Sequence, residues 1–245
     1  MNSFIGWIGG KRALRDEIIA CFPSEFERYI EVFGGAGWVL FRKDKSKFEV
    51  FNDADGDLIN LYRQIKCNYN ELQREIDKIH SRELFDDYKQ LLKTSEITDL
   101  QRAAMYYYLI KHSFGNNRYS FATCVRHSSV NEFANVAERL IDVIIENQDF
   151  EKIIKTYDRD NALFYCDPPY VDTEKYYKGK FTFDDHVRLK NVLSAIKGKF
   201  ILSYNDCDII RELYKDYNII GLTRMNTLQG NTNSNLFKEV LITNY

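Results

Sequence analysis

The chain has 245 residues and a formal net charge of -2. At 44% hydrophobic and 15% aromatic residues it carries enough apolar surface for one sizeable core, which excludes a disordered chain. The near-neutral charge excludes a generally basic nucleic-acid coat, so any such contact must rest on a local patch.

The first helical spacing runs from Lys11 to Cys21, with Leu14, Ile18 and Cys21 on one face. "RYIEVFGGAGWVLF" then reads as a buried strand over Tyr29 to Val32, a tight glycine turn at Gly34, Gly35 and Gly37, and a helix from Trp38 to Arg42. "KFEVFNDAD" is a second strand that ends in Asp53 and Asp55. From Asp57 to about Phe114 the pattern is helical. One helix has Leu58, Leu61, Tyr62 and Ile65 on its face, a second Leu72, Ile76 and Ile79, and a third Leu84, Tyr88, Leu91 and Leu92. A fourth, capped by Asp99, runs to His112. "SFGNNRYSFATCVRHSSVN" follows as a loop or short hairpin. Alternation then returns: helix 132–141, strand "DVIIEN", helix "DFEKIIKTY", strand "ALFYCD", helix 184–197, strand "KFILSY" and helix 206–214. Two further strands, "YNIIGL" and "KEVLITNY", are joined without a helix and are expected to pair antiparallel.

This order predicts an α/β protein with a mostly parallel sheet covered on both faces. The helical stretch is an insertion, so the expected organisation is a discontinuous domain, 1–56 and 131–245, interrupted by a helical unit, 57–130. The five cysteines are scattered without a CxxC pair, and the histidines do not cluster near them. A reduced intracellular protein without a metal site is expected. The first residues lack the apolar core of a signal peptide, and no apolar run approaches the ~20 residues that span a bilayer.

Three motifs carry chemistry. "EVFGGAG" puts Gly35 and Gly37 between a strand and a helix, where the backbone and helix amides can approach a ligand. Asp53, about 20 residues on at the end of the next strand, stands where a ribose hydroxyl pair is bound; the alternative is a turn that serves helix packing alone. "FIGWIGGK" is a second glycine loop, with the flat face of Trp7 and Lys11 at the start of the first helix. "CDPPY" stops a strand with two prolines. The Asp167 carboxylate, the Pro168 carbonyl and the Tyr170 ring, with Pro169 fixing the backbone, suit a planar group that carries an NH2. The alternative is a strand-ending turn with a solvated acid.

"FIGWIGGK", "EVFGGAG" and "DPPY", in that order, resemble the Dam-type (α class) N6-adenine-specific DNA methyltransferase family. "NDADGDLINLY", "YYYLIKHSFGNNRYS", "FTFDDHVRLKNVL" and "FILSYND" support the resemblance, which covers nearly the whole chain. It implies a Rossmann-like S-adenosylmethionine-dependent methyltransferase sheet with a helical target-recognition insertion. It also implies that Trp7, Lys11, Phe33, Gly35, Gly37, Asp53 and Asp167 hold S-adenosyl-L-methionine. Asp167, Pro168, Pro169 and Tyr170 would then hold an adenine flipped out of double-stranded DNA. A monomer in the cytoplasm of a bacterial or phage-infected cell fits this family, with room for a restriction endonuclease partner. N4-cytosine methylation, RNA N6-adenine methylation and a non-catalytic DNA-binding relative are the alternatives.

Residues 111–131 contain no acid. Lys111, Asn117, Arg118, Tyr119 and Arg126 are the expected DNA contacts there, with Arg118 as the base reader, since arginine pairs bidentately with guanine. After the arginine-tyrosine step the family continues into a longer, proline-containing hairpin. "SFATCVRHSSV" departs from it, so a GATC target is not implied. Lys175, Lys178 and Lys180 and the loop "NTLQGNTNSN" are further candidate phosphate contacts.

Overall fold

Period-two alternation of apolar residues decides the layers of this molecule. In the computed structural model, residues 1–94, 96–124, 132–171, 181–225 and 236–245 are described, with the backbone alone at 224, 225, 236 and 237. Seven strands among them form one sheet: β1 (Arg28–Glu31), β2 (Phe48–Asn52), β3 (Val143–Glu146), β4 (Ala162–Cys166), β5 (Lys199–Asn205), β6 (Asn218–Met225) and β7 (Leu236–Thr243). Their order is β3-β2-β1-β4-β5-β7-β6. The first five are parallel, and β7 runs antiparallel to β5 and β6. The expected antiparallel terminal pair is therefore present.

In β4, Leu163 and Tyr165 face one core, while Ala162, Phe164 and Cys166 face the other. The first core is covered by α1 (Arg15–Ala20), α2 (Trp38–Arg42), α3 (Gly56–Glu75), α5 (Asp99–His112) and α6 (Phe133–Leu140). The second lies under α7 (Phe150–Tyr157), α8 (Phe183–Ser194) and α9 (Asp208–Leu213). A strand buried on both faces must be apolar along its length, as "ALFYC" is. The remaining helix, α4 (Arg82–Leu91), packs on α5 through Phe85, Tyr108 and Leu109.

Some helix boundaries differ from expectation. The first helix begins at Arg15, four residues after Lys11, because Lys11 is drawn into the site described below. Leu72 does not open a separate helix: it lies in α3, which bends at Asn68, and Ile79 is exposed. Thr98, not Asp99, caps α5, in a capping box with Gln101.

A buried ionic cluster pins α6 to the sheet. Arg139 donates to both oxygens of Glu49 at 2.5 and 3.0 Å and to the Leu40 carbonyl at 2.8 Å, and Lys43 donates to Glu49 at 2.5 Å. Burial pushes the Glu49 carboxyl up, but the bonds from Arg139 and Lys43 outweigh it and hold the group below its usual range. Removing one partner strands the others without water. Arg139→Ala is expected to cost about 3–5 kcal/mol, measured as a loss in chemical-denaturation free energy. A change under about 1 kcal/mol contradicts the assignment.

Candidate active site

The chain leaves β1 toward β2 on one side and returns to β4 on the other. This reversal opens a crevice at the carboxyl ends of the strands. A cavity of about 350 Å³ lies there, within the range of small-molecule sites, about 300–1,000 Å³.

Three strand ends build its floor. After β1 the chain makes its glycine turn, closed by a Gly37 N–H to Gly34 carbonyl bond of 2.8 Å. Gly35 and Gly37 have φ of +50° and +65°, the left-handed region that glycine enters without penalty. A Cβ on Gly35 would come within 3.0 Å of the Trp7 indole, so the turn and the amino-terminal loop meet through bare backbone. After β2, Asp53 accepts the Gly35 N–H at 2.8 Å and the Asp55 N–H at 2.8 Å. Although part of it faces the cavity, the surrounding protein pushes its carboxyl up to about 6. Asn52 fastens the strand ends together: its amide donates to the Val32 and Gln148 carbonyls and its oxygen accepts from the Gln148 N–H.

After β4 comes Asp167. Lys11 reaches it at 2.8 Å and Ser203 donates to it at 2.8 Å, both on Oδ1. Burial still holds the Asp167 carboxyl above its ordinary value. Lys11 also stands 3.6 Å from Glu239 of β7 and 4.6 Å from the centre of the Tyr170 ring, whose hydroxyl donates to Glu239 at 2.6 Å. One lysine thus sits between a half-buried carboxylate, a buried one and an aromatic face.

The far wall is aromatic and charged. Phe33, Phe150 and Phe181 pack with centroids 5.6 to 5.9 Å apart. Arg188 lies over Phe150 at 4.1 Å and bonds Asp149 with both terminal nitrogens at 2.9 Å, together with Asp185 at 2.8 Å.

Of the residues singled out from the sequence, Trp7, Lys11, Phe33, Gly35, Asp53, Asp167 and Pro169 line this cavity. Gly37, Pro168 and Tyr170 do not. Gly37 forms the amino end of α2. Tyr170 is not the open plate expected: its ring is buried, with the Lys11 ammonium over it and Tyr204 6.1 Å away.

The expected DNA contacts divide. Tyr119 is exposed. Lys111 is half-buried, its ammonium 5.7 Å from the Tyr107 ring. Asn117 holds a turn, accepting the Tyr119 and Ser120 N–H groups. Arg118, expected on the surface, is buried in the roof of the cavity. The reason is local: with φ of +65° and its N–H bonded to Ser113 Oγ, the backbone turns the side chain inward. Arg126, Lys175, Lys178, Lys180 and the loop 226–235 lie outside the described residues.

Sequence reasoning missed Asn52, Asp149, Arg188, Glu239 and Glu31. A signal existed for Glu31 and Asp149, acids at or just beyond strand ends. None existed for Glu239, whose partners are brought to it by the sheet.

Residues 7–228 match the family model MethyltransfD12, D12 class N6 adenine-specific DNA methyltransferase. The chain belongs to this family. Its activity is adenine-specific methylation of DNA at particular sites, which selects among the alternatives left open by the sequence. A Lactococcus lactis subsp. cremoris protein, Type II methyltransferase M1.LlaDCHI, is 31% identical over 283 aligned positions, covering 100% of this chain and 96% of that protein. Type II methyltransferase M.CviBI of Paramecium bursaria Chlorella virus NC1A is 29% identical, covering 89% and 88%. A DNA adenine methylase of Haemophilus influenzae is 27% identical, covering 86% and 82%. The sheet and its flanking helices give this methyltransferase the Rossmann-like fold of donor-dependent methyl transfer. Among the described residues, no helix is long and apolar enough to cross a membrane.

Glu31 backs the methyltransferase site from the end of β1. It is buried, accepts the Tyr29 hydroxyl at 2.6 Å and is raised by burial from 4.5 to about 8. A raised acid contributes stability that is complete below its unfolded pKa and lost as pH climbs through the folded one. Glu31→Gln, which mimics the protonated acid, should therefore gain on the parent in Tm as pH rises from 5 to 9. The ceiling is about 5 kcal/mol by linkage. A constant difference across that range contradicts the shift.

Proposed function

We propose that the cavity binds S-adenosyl-L-methionine and that Asp167 to Tyr170 receive an adenine flipped out of duplex DNA. The observation that carries this is the placing of Asp167 in the wall of a cavity that also holds Asp53 and the bare backbone of Gly35.

The residues fit such a donor. The cradle at Gly35 admits no Cβ without displacing Trp7. Asp53 is a carboxylate at a strand end, suited to accept from a pair of ribose hydroxyls. Phe33, Phe150 and Phe181 offer apolar faces to a purine. When bound, the donor supplies a sulfonium methyl, already activated for transfer without a metal.

The protein's part is positioning and hydrogen bonding. The exocyclic nitrogen of adenine is a poor nucleophile because its lone pair is delocalised into the ring. Asp167 and the Pro168 carbonyl accept its two N–H bonds, which favours a pyramidal nitrogen with an available pair. Lys11 and Ser203 occupy Asp167 Oδ1, so Oδ2 is the oxygen assigned to the amine. Tyr170 is assigned to stack the base.

Residues 57–130 are assigned to target recognition. The first half of α3 and most of α5 belong to the sheet's core, so the contacts are assigned to α4, the end of α5 and 113–124, with Lys111, Asn117 and Tyr119 toward DNA; Arg126, outside the described residues, is assigned to DNA from the sequence alone. The type II names of two relatives support a restriction endonuclease as partner. Monomeric action in the cytoplasm completes the reading.

Two experiments test it. Asp167→Ala should abolish methyl transfer to plasmid DNA, read by methylation-aware sequencing, while the variant still folds, read by circular dichroism, at a Tm lowered by the loss of the Lys11 pair. Near-parental turnover would falsify the assignment. The raised Asp53 carboxyl sets a pH dependence, because only the ionised form accepts from both hydroxyls. Donor affinity measured by calorimetry should tighten as pH rises through about 6, by up to about tenfold per unit below it. A flat profile from pH 5 to 7 removes the ribose role from Asp53.

A further inference from the structure

Arg118 comes from the segment after α5, yet its surroundings are those of the donor cavity. It is 6% exposed, and its guanidinium carbon stands 4.3 Å from the Trp7 ring and 5.6 Å from the Tyr106 ring. Trp7 in turn rests against Gly35. Tyr106 donates to Asp55 at 2.7 Å, and Asp55 caps α3 two residues beyond Asp53. Arg118 also acts on Asp53 electrostatically, opposing the effect of burial.

The backbone holds this arrangement at a cost. Arg118 and Asn116 both have positive φ, +65° and +59°, which non-glycine residues adopt only when their surroundings demand it. The demand is visible. The Arg118 N–H is bonded to Ser113 Oγ at 2.9 Å, and Ser113 is fully buried. Phe114 N–H to Ser120 carbonyl and Ala122 N–H to His112 carbonyl bonds, each 2.8 Å, close the turn. A Cβ on Gly6 would collide with the Asn116 side chain, so the amino-terminal glycine loop and this turn interlock. A flat guanidinium on an indole face is attracted by the ring quadrupole and loses little freedom on stacking.

We propose that Arg118 is a positioning residue for the methyl-donor pocket: by stacking on Trp7 it fixes the indole over Gly35 and joins the recognition turn to the donor site. The inference rests on the reading of the cavity as the S-adenosyl-L-methionine site. Its consequence is that donor and DNA affinities are linked, each changing the other by the same factor. The outer face of the same turn carries Phe114 and Tyr119, both exposed, where a duplex would press on it.

The test is calorimetric titration of S-adenosyl-L-methionine, without DNA, into the parent, Arg118→Ala, Trp7→Leu and the double variant. Arg118→Ala should bind about threefold to thirtyfold more weakly. The double variant should bind no more weakly than Trp7→Leu, because Arg118 acts through the indole. In steady state the loss should fall on KM for the donor, with kcat changed less than about twofold. Arg118→Lys keeps the charge and the stem but not the flat fork. It should lie between parent and Arg118→Ala, and it supplies the same comparison if the alanine variant does not fold. Parental donor affinity in Arg118→Ala with relaxed sequence preference overturns the inference and returns the residue to base reading. Additive losses in the double variant overturn it as well. A parent that does not bind the donor overturns the reading of the cavity itself.

Discussion

The ion pair between Lys11 and Asp167 is the interaction on which the site depends. An ammonium 5% exposed and a carboxylate 18% exposed meet at 2.8 Å. Taking both from water costs several kcal/mol per ion, so such a pair persists only when further bonds complete it. Here they do: Lys11 donates to the Gly9 carbonyl at 3.1 Å, Ser203 donates to Asp167, and Glu239 stands on the other side of the lysine. The pair turns an amino-terminal segment, ordinarily a fraying element, into a wall of the cavity. Trp7 can then lie over Gly35, because the chain between Trp7 and Lys11 is fixed at its far end. Two acids compete for one lysine, so Asp167 is not fully compensated, and burial keeps its carboxyl raised.

The sheet supplies what the pair needs. β4 lies between β1 and β5, and β7 lies beside β5, so Asp167, Ser203 and Glu239 arrive from three adjacent strands. Ser203 is in β5 and pairs in register with Leu241 of β7; Glu239 pairs with Asn205. A one-residue slip of β7 would turn Glu239 to the opposite face and leave the Tyr170 hydroxyl and Lys11 without it. Asn52 does the matching work on the other side, holding the ends of β1 and β2 to the loop after β3.

Local signals in the sequence were sufficient for the sheet and for one side of the site. "ALFYC" announced a strand buried on both faces, and the glycine turn, Asp53 and the paired prolines are features of adjacent residues. The family resemblance is what implied a donor and a base for these residues. What the sequence could not carry was through-space. Lys11 looked like the first residue of a helix, because its partner lies 156 positions away in Asp167. Glu239 looked like an ordinary acid on a terminal strand. Arg118 looked like a surface base reader because charged residues beside aromatic ones usually face water. Its positive φ reverses the direction of the side chain, and no pattern of neighbouring residue types encodes that at a non-glycine position.

The charge around the cavity gives the arrangement a direction. Glu31, Asp53, Asp55, Asp149, Asp167 and Asp185 face Lys11, Arg118 and Arg188 among the described lining residues. Even with Glu31 protonated near neutral pH, acids outnumber cations. A crevice with this balance in a low-dielectric setting favours a cationic occupant. On the proposed reading of the cavity, the field favours the sulfonium donor over the thioether left after transfer, which carries one positive charge fewer. It also repels phosphate. On the same reading the field keeps the DNA backbone outside the crevice and admits an uncharged base. An overall charge of -2 is then no obstacle to a DNA enzyme, because acids outnumber cations among the described residues lining the crevice, and the proposed reading keeps the duplex backbone out of it.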